Sequence, residues 1–138
     1  MAKIISTTFG AVIALFGLVG FVSPSLGGTL GTPLCNFIHL LAGAALVAAA
    51  LKAGPSVLFW SIGSGGACYL LAGLAGVICG RPGTPGVAGF PPNERLVVLI
   101  PKFLELGSAD HVLHLFFGIA LLTAAAVSVA ESPFRLRK

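Results

Sequence analysis

The sequence predicts an all-α integral membrane protein: a four-helix bundle made of two parallel-repeated helical hairpins, with a long outer loop between helices 3 and 4. Charged residues make up only 9% of the 138 residues and hydrophobic residues 57%, far from the composition of soluble domains. Four apolar stretches each approach the roughly 20 residues that span a bilayer. Two short motifs each occur twice, in the same order. We therefore expect a single membrane domain over residues 1–138.

The first apolar stretch covers residues 4–22 and follows Lys3. Its length is compatible with a signal peptide. However, the segment from Val22 to Ser25 lacks the small-residue motif at which such peptides are cleaved. We therefore interpret residues 4–22 as a retained first helix.

Helices 2 and 3 are predicted over residues 33–51 and 56–79. Thr32 is a favoured N-cap and Pro33 suits the first position of a helix. Gly54 and Pro55 end helix 2 and leave only a short connection. Helix 3 should therefore return antiparallel beside helix 2, forming a hairpin with it.

Residues 81–108 form the long connection. The apolar run at residues 96–100 is too short to span a bilayer, so we expect a short segment at 94–106 to lie at the membrane surface. Ser108 is a suitable N-cap for helix 4, predicted over residues 109–129. A basic tail follows at residues 132–138.

The basic residues predict the orientation of the chain. With four spans, both termini lie on the side of Lys52, which carries more Lys and Arg than the side of the long loop. The positive-inside rule then places both termini in the cytoplasm. Lipid headgroups should contact Lys52, Arg135, Arg137 and Lys138. The net charge of +4 therefore indicates the lipid bilayer as partner, and no nucleic acid.

Two motif pairs indicate an internal repeat. Residues 15–20 and 71–76 share L-x-G-L-x-G, and residues 39–46 and 114–121 share H-L-x-x-G-x-A-L. The first pair relates helix 1 to helix 3 and the second relates helix 2 to helix 4. Two hairpins in the same orientation imply a pseudo-twofold axis along the membrane normal.

The segments at residues 36–40 with Gly43, and 110–115 with Gly118, carry a resemblance to a known family. Over roughly residues 10–129 the chain resembles the bacterial four-helix membrane family called domain of unknown function 4383. The resemblance implies a four-helix fold and a bacterial inner or intracytoplasmic membrane, and it implies no known activity.

His39 and His114 are the candidate cofactor-binding residues, because ionisable groups within a membrane usually face the protein interior. One hypothesis is axial ligation of a tetrapyrrole, haem or chlorophyll, with Gly43 or Gly118 leaving room for the macrocycle. The alternative is that Asn36 and Asp110 hydrogen-bond these histidines or bridge the hairpins. His111, one turn before His114, is expected at the headgroup boundary.

Small residues predict where helices pack closely. Ser64, Cys68, Ala72, Gly76 and Gly80 recur every four residues, which indicates a small-residue face on helix 3. The residues expected to mediate helix packing are Asn36, Gly43, Gly73, Gly76, Gly80, Asp110 and Gly118.

The sequence contains no motif for a catalytic or metal site. The chain is therefore not expected to be an enzyme, and no metal ligands are assigned. The three cysteines lack metal-ligand spacing, and a bridge between Cys35 and Cys79 stays open.

The leading hypothesis for function is a non-catalytic accessory or packing subunit of a larger membrane complex, photosynthetic or respiratory, with other membrane subunits as partners. One alternative is a tetrapyrrole-binding subunit that uses His39, with or without His114. Another is a small channel or transporter.

Overall fold

The structure is a computed structural model that describes the backbone of residues 2–131 and the side chains of residues 2–128. Within these residues it is mostly helical, and each of four α-helices is long and apolar enough to cross a membrane. The prediction of a mostly helical chain with four apolar helices of membrane-spanning length is thereby confirmed. The helices are α1 (Ala2–Gly20), α2 (Pro33–Lys52), α3 (Pro55–Cys79) and α4 (Ser108–Glu131).

The long connection holds a small antiparallel sheet, so the all-α prediction was wrong here. Its strands are β1 (Arg81–Gly83), β2 (Asn93–Ile100) and β3 (Leu104–Leu106), in the order β1-β2-β3. The apolar run expected at the membrane surface is part of β2. Pro101 and Lys102, whose φ is 66°, reverse the chain after β2 so that its backbone pairs with β3.

α2 begins where Thr32 and Pro33 predict, but the threonine side chain does not cap it. The Thr32 hydroxyl instead lies 3.4 Å from both the amide nitrogen and the carbonyl oxygen of Glu105 in β3. The amide of Leu34, which a helix start leaves unpaired, donates to the carbonyl of Phe103 at 3.0 Å. The turn between β2 and β3 therefore pairs this amide at the start of α2.

The helices pack as two close pairs, α1 with α2 and α3 with α4. By contrast, α2 and α3 contact each other little, although only Ala53 and Gly54 connect them. The expected close α2–α3 hairpin is therefore a loose one. The short connection fixes where the two helices start and end, but it does not determine which faces touch.

Glycines bring each close pair together. A Cβ atom on Gly17 would lie 2.5 Å from the Asn36 carbonyl oxygen and the Leu40 amide nitrogen. A Cβ atom on Gly73 would lie 2.8 Å from the Leu115 amide nitrogen. Real Cβ atoms do not approach backbone this closely, so both pairs depend on a missing side chain. Close approach at small residues is how helices associate in lipid, where burial of apolar surface gives no driving force.

Corresponding positions are buried in the two pairs. A shift of 56 positions, as from Gly17 to Gly73, places the buried residues of α1 on those of α3. A shift of 75 positions, as from Asn36 to His111, places the buried residues of α2 on buried residues of α4. The first set is Ala2, Ser6, Gly10, Ile13, Gly17 and Gly20, matched by Leu58, Ile62, Gly66, Tyr69, Gly73 and Gly76.

A buried carboxylate in β3 holds the long connection in place. The Glu105 side chain is 1% exposed and accepts hydrogen bonds from the backbone amides of Gly86 at 2.8 Å and Lys102 at 2.7 Å. Hydrogen bonds to charged groups are stronger than those between neutral groups. Glu105 therefore connects the segment after β1 to the turn between β2 and β3.

Candidate ligand site between α2 and α3

A cavity of about 540 Å³ separates α2 from α3. The sheet covers one end of it through Leu99, Leu104 and Leu106. Ligand cavities in proteins range over about 300–1,000 Å³ and are mostly apolar with a few polar groups. This cavity has that size, and its lining is apolar except for a small group of polar side chains.

Three polar aromatic rings, those of His39, Tyr69 and His114, line the cavity from α2, α3 and α4. The two imidazole rings are stacked, with centroids 5.3 Å apart and planes inclined by 26°. The Tyr69 ring lies 5.3 Å from His114 and 5.7 Å from His39. The histidines thus occur at one depth, and α3 adds a tyrosine that the sequence analysis did not single out.

The cavity exists because small residues occupy positions that carry phenylalanine in the other half of the chain. Between α1 and α4, the rings of Phe9 and Phe16 lie 6.2 Å and 6.1 Å from that of Phe117 and fill the groove. The shifts of 56 and 75 positions relate these three residues to Gly65, Ala72 and Ala42, all of which line the cavity.

The backbone of α2 orients the His39 ring. Nδ1 lies 2.8 Å from the carbonyl oxygen of Cys35, one turn earlier. A carbonyl oxygen can only accept, so in the neutral ring Nδ1 carries the proton and Nε2 keeps its lone pair. Nε2 takes no part in the side-chain hydrogen bonds found among the described residues. His39 therefore offers a free acceptor beside the cavity.

His114 and Tyr69 carry buried polar atoms without partners among the described residues. The two side chains are 7% and 8% exposed, and His114 Nδ1 and the Tyr69 hydroxyl have no hydrogen bond. Buried polar groups are normally paired, so each orphan needs an explanation, and a bound ligand or water would supply one.

The stacked rings bear on the tetrapyrrole hypothesis. Two imidazoles that ligate the same metal approach it end-on from opposite faces of the macrocycle. His39 and His114 instead stack face to face at 5.3 Å, so they cannot hold one macrocycle between them. Ligation of the metal by His39 alone remains compatible with the geometry, because the hydrogen bond of Nδ1 to the Cys35 carbonyl leaves Nε2 available to a metal.

Asn36 and Asp110 do not hydrogen-bond the cavity histidines. The Asn36 side chain donates to the carbonyl of Gly31 at 3.0 Å. Asp110 accepts from the amides of Leu30 at 3.0 Å and Gly107 at 2.7 Å, so it ties the α1–α2 connection to the start of α4. Asn36 and Asp110 also do not occupy corresponding positions in the two helix pairs. The shift of 75 positions that aligns α2 with α4 places Asn36 on His111.

His111 lies in the first turn of α4 and is buried within the protein. It is 1% exposed, and its ring covers Gly76 as the Asn36 side chain covers Gly20. Nε2 lies 2.7 Å from the carbonyl oxygen of Arg95 in β2. A residue near a helix end is not necessarily at the surface, and here the sheet covers it.

The predicted small-residue face of α3 divides between two surroundings. Ser64, Cys68 and Ala72 line the cavity, whereas Gly76 and Gly80 are buried against His111 and Arg95 respectively. Four residues advance a helix by about 400°, so a strict four-residue spacing rotates by about 40° at each step. The small-residue face therefore turns gradually around α3, from the side that lines the cavity to the side that contacts His111 and Arg95.

The remaining predicted packing glycines lie at close backbone contacts. A Cβ atom on Gly118 would lie 2.5 Å from the Leu70 amide nitrogen, and one on Gly43 would overlap the backbone of Ala14.

Among the predicted headgroup residues, Lys52 is exposed at the end of α2. Arg135, Arg137 and Lys138 lie outside the described residues.

Cys35, Cys68 and Cys79 are free thiols in the structure, so no bridge joins Cys35 to Cys79. Within the described residues, no group of three or more His, Cys, Asp or Glu side chains could hold a metal ion.

Comparisons with family models, with curated proteins and with solved structures gave no match for this chain. The family resemblance stated from the sequence thus stays a prediction. Function is argued below from the geometry of the cavity alone.

Proposed function

We propose that this chain is a non-catalytic, four-span membrane protein that holds a lipid-soluble ligand between α2 and α3. The observation that carries the proposal is the contrast between the two grooves. Phenylalanine rings fill the groove between α1 and α4, whereas glycine and alanine occupy the corresponding positions around the cavity. An open apolar groove with a few polar side chains at its wall is typical of a binding site.

Exposed apolar side chains on every helix support placement in a bilayer. Leu15, Leu41, Leu71 and Ile119 are between 54% and 65% exposed, one on each helix in chain order. In water such a surface would cost roughly 25 cal/mol per Å², whereas in lipid it costs nothing. We place both termini and Lys52 in the cytoplasm of a bacterial inner or intracytoplasmic membrane, and the sheet on the opposite side.

The matched burial of the two helix pairs supports a duplicated hairpin with a pseudo-twofold axis along the membrane normal.

Non-catalytic action is supported by the buried acids. Glu105 and Asp110 each accept two backbone hydrogen bonds, and those bonds hold loops in place. We propose that the protein acts as an accessory subunit, with the ligand and neighbouring membrane subunits as partners.

The test is to fill the cavity and measure what the protein retains. Wild-type protein and the Ala72→Phe variant are purified from membranes in mild detergent, extracted with organic solvent and analysed by mass spectrometry. Ala72 is the counterpart of Phe16, so the new ring should occupy the cavity as Phe16 occupies its groove. The Leu71→Phe variant is the control, because Leu71 is 65% exposed on the outer surface of the bundle.

We expect a small molecule to be extracted in fixed ratio from wild-type and Leu71→Phe protein and to be lost from Ala72→Phe. Equal extraction of bulk lipid alone from all three proteins would refute the proposal.

The free Nε2 of His39 favours tetrapyrrole binding as a second candidate function, through His39 alone. The measurement is an absorption spectrum of the purified protein and of its His39→Ala variant. A visible band that is shifted or lost in the variant would support it, and a colourless wild-type protein would exclude it.

A further inference from the structure

We infer that the ligand carries an aromatic hydroxyl group, as an alkylphenol or alkylhydroquinone does, on an apolar tail. This inference rests on the proposed function and specifies the chemistry of its ligand. Its basis is the juxtaposition of a free imidazole acceptor, an unpaired phenol donor and a stack of aromatic rings at the wall of one apolar cavity.

The acceptor is Nε2 of His39. The Cys35 carbonyl fixes the ring through Nδ1, so the lone pair of Nε2 is directed away from the backbone of α2. A buried lone pair needs a hydrogen-bond donor, and where the ligand displaces water from the cavity that donor must be on the ligand. A ligand whose polar atoms are all acceptors, such as an ether or an ester, cannot supply one.

The donor is the hydroxyl of Tyr69, which is buried and has no partner among the described residues. Its ring lies 5.7 Å from that of His39 and both residues line the cavity, so a small head group there would lie beside both side chains. A hydroxyl group meets both requirements, because its oxygen accepts from Tyr69 while its hydrogen is donated to His39. A carbonyl oxygen meets only the first requirement.

The rings favour an aromatic head group over an aliphatic alcohol. His39, Tyr69 and His114 have centroids 5.3–5.7 Å apart, within the range in which aromatic pairs attract. A planar ring at this wall would extend the stack. Away from the rings the lining is mostly apolar, with Ser61 and Ser64 on the α3 side, and it continues along α2 past Ala45 to Leu46, which suits an alkyl tail.

This chemistry separates two oxidation states of one compound. An alkylhydroquinone donates and accepts at each oxygen, whereas the corresponding quinone only accepts. The site should therefore prefer the reduced form. Methylation of both hydroxyl groups removes the donors and leaves the ring and the tail in place, which gives a redox-inert control.

The experiment measures binding of 2-decylhydroquinone and of its dimethyl ether to the purified full-length protein in lipid nanodiscs, by calorimetric titration under anaerobic conditions. We expect the hydroquinone to bind about tenfold more tightly than the ether, the ratio that a net hydrogen bond contributes. The Tyr69→Phe variant, which keeps the ring, should bind the hydroquinone about fivefold more weakly and the ether unchanged. Leu71→Phe should match wild type.

The outcomes separate this inference from the proposed function. If wild type binds both compounds equally and Ala72→Phe binds neither, the hydroxyl inference is wrong and the cavity remains a binding site. If wild type and Ala72→Phe take up both compounds without saturation, both proposals are wrong. Near-ultraviolet circular dichroism of each variant establishes that its aromatic packing is intact, and the comparison of the two compounds on wild type needs no variant.

Discussion

Adjacent glycines in α3 offer a sharp test of the packing, because Gly65 lines the cavity whereas Gly66 contacts α4. A Cβ atom on Gly65 would lie 3.7 Å from Leu46 Cδ2, an ordinary van der Waals distance. A Cβ atom on Gly66 would lie 2.9 Å from the Leu122 amide nitrogen and 3.0 Å from Leu121 Cβ. The same substitution therefore meets open space at one residue and backbone at the next.

The expected free energies follow from these distances. Replacing glycine by alanine within a helix stabilises it by up to about 1 kcal/mol. The new methyl group gains little from leaving hydrocarbon for an apolar cavity, so Gly65→Ala should stabilise the protein by about 1 kcal/mol or less. Overpacking costs about 1–3 kcal/mol, so Gly66→Ala should destabilise it by up to about 2 kcal/mol. The two variants should differ by about 2 kcal/mol.

The assay is reversible unfolding by sodium dodecyl sulfate in mixed micelles, followed by near-ultraviolet circular dichroism of the packed aromatic rings. Both variants add the same methyl group to the same helix, so each is the control for the other. Equal stabilities, or a Gly66→Ala protein more stable than Gly65→Ala, would contradict the assignment of these glycines to cavity and contact.

Three further predictions concern the loops and the topology. Asp110→Ala should destabilise the protein by about 1–3 kcal/mol in the same assay, because it leaves the amides of Leu30 and Gly107 unpaired, and Asp110→Asn should lose less. Glu105→Ala should accelerate hydrogen exchange at the amides of Gly86 and Lys102 at least tenfold while exchange within α4 stays unchanged, and equal acceleration throughout the chain would contradict this. In a cysteine-free background, Lys52→Cys and Arg81→Cys should react with an impermeant maleimide from opposite faces of the membrane, and reaction from one face would refute four spans.

Local signals made the helices predictable. Apolar runs of membrane length are bounded by Thr32, Pro33 and the Gly54–Pro55 pair, and the helix bounds in the structure fall within two residues of most predicted ones. The sheet was not predictable in the same way. β1 pairs with β2 across the loop that joins them, and this pairing depends on contacts that no short window of sequence contains.

The site was predictable in part. The duplicated H-L-x-x-G motif identified His39 and His114, because both helices run in the same direction from the same end of the bundle. The cavity was missed because small residues were interpreted as packing residues. The sequence contained the missing signal, since alignment of its two halves sets Phe16 against Ala72 and Phe117 against Ala42.

That contrast links the fold to the proposed function. A duplicated hairpin with identical faces would form two equal grooves, and lipid chains would enter both or aromatic rings would close both. Here the groove between α1 and α4 is closed by side chains, so it fixes the relative position of the two pairs. The opposite groove does not have to hold the pairs together and can stay open. Small residues give this groove its volume, and in the proposed function the polar rings at its wall select the ligand over acyl chains.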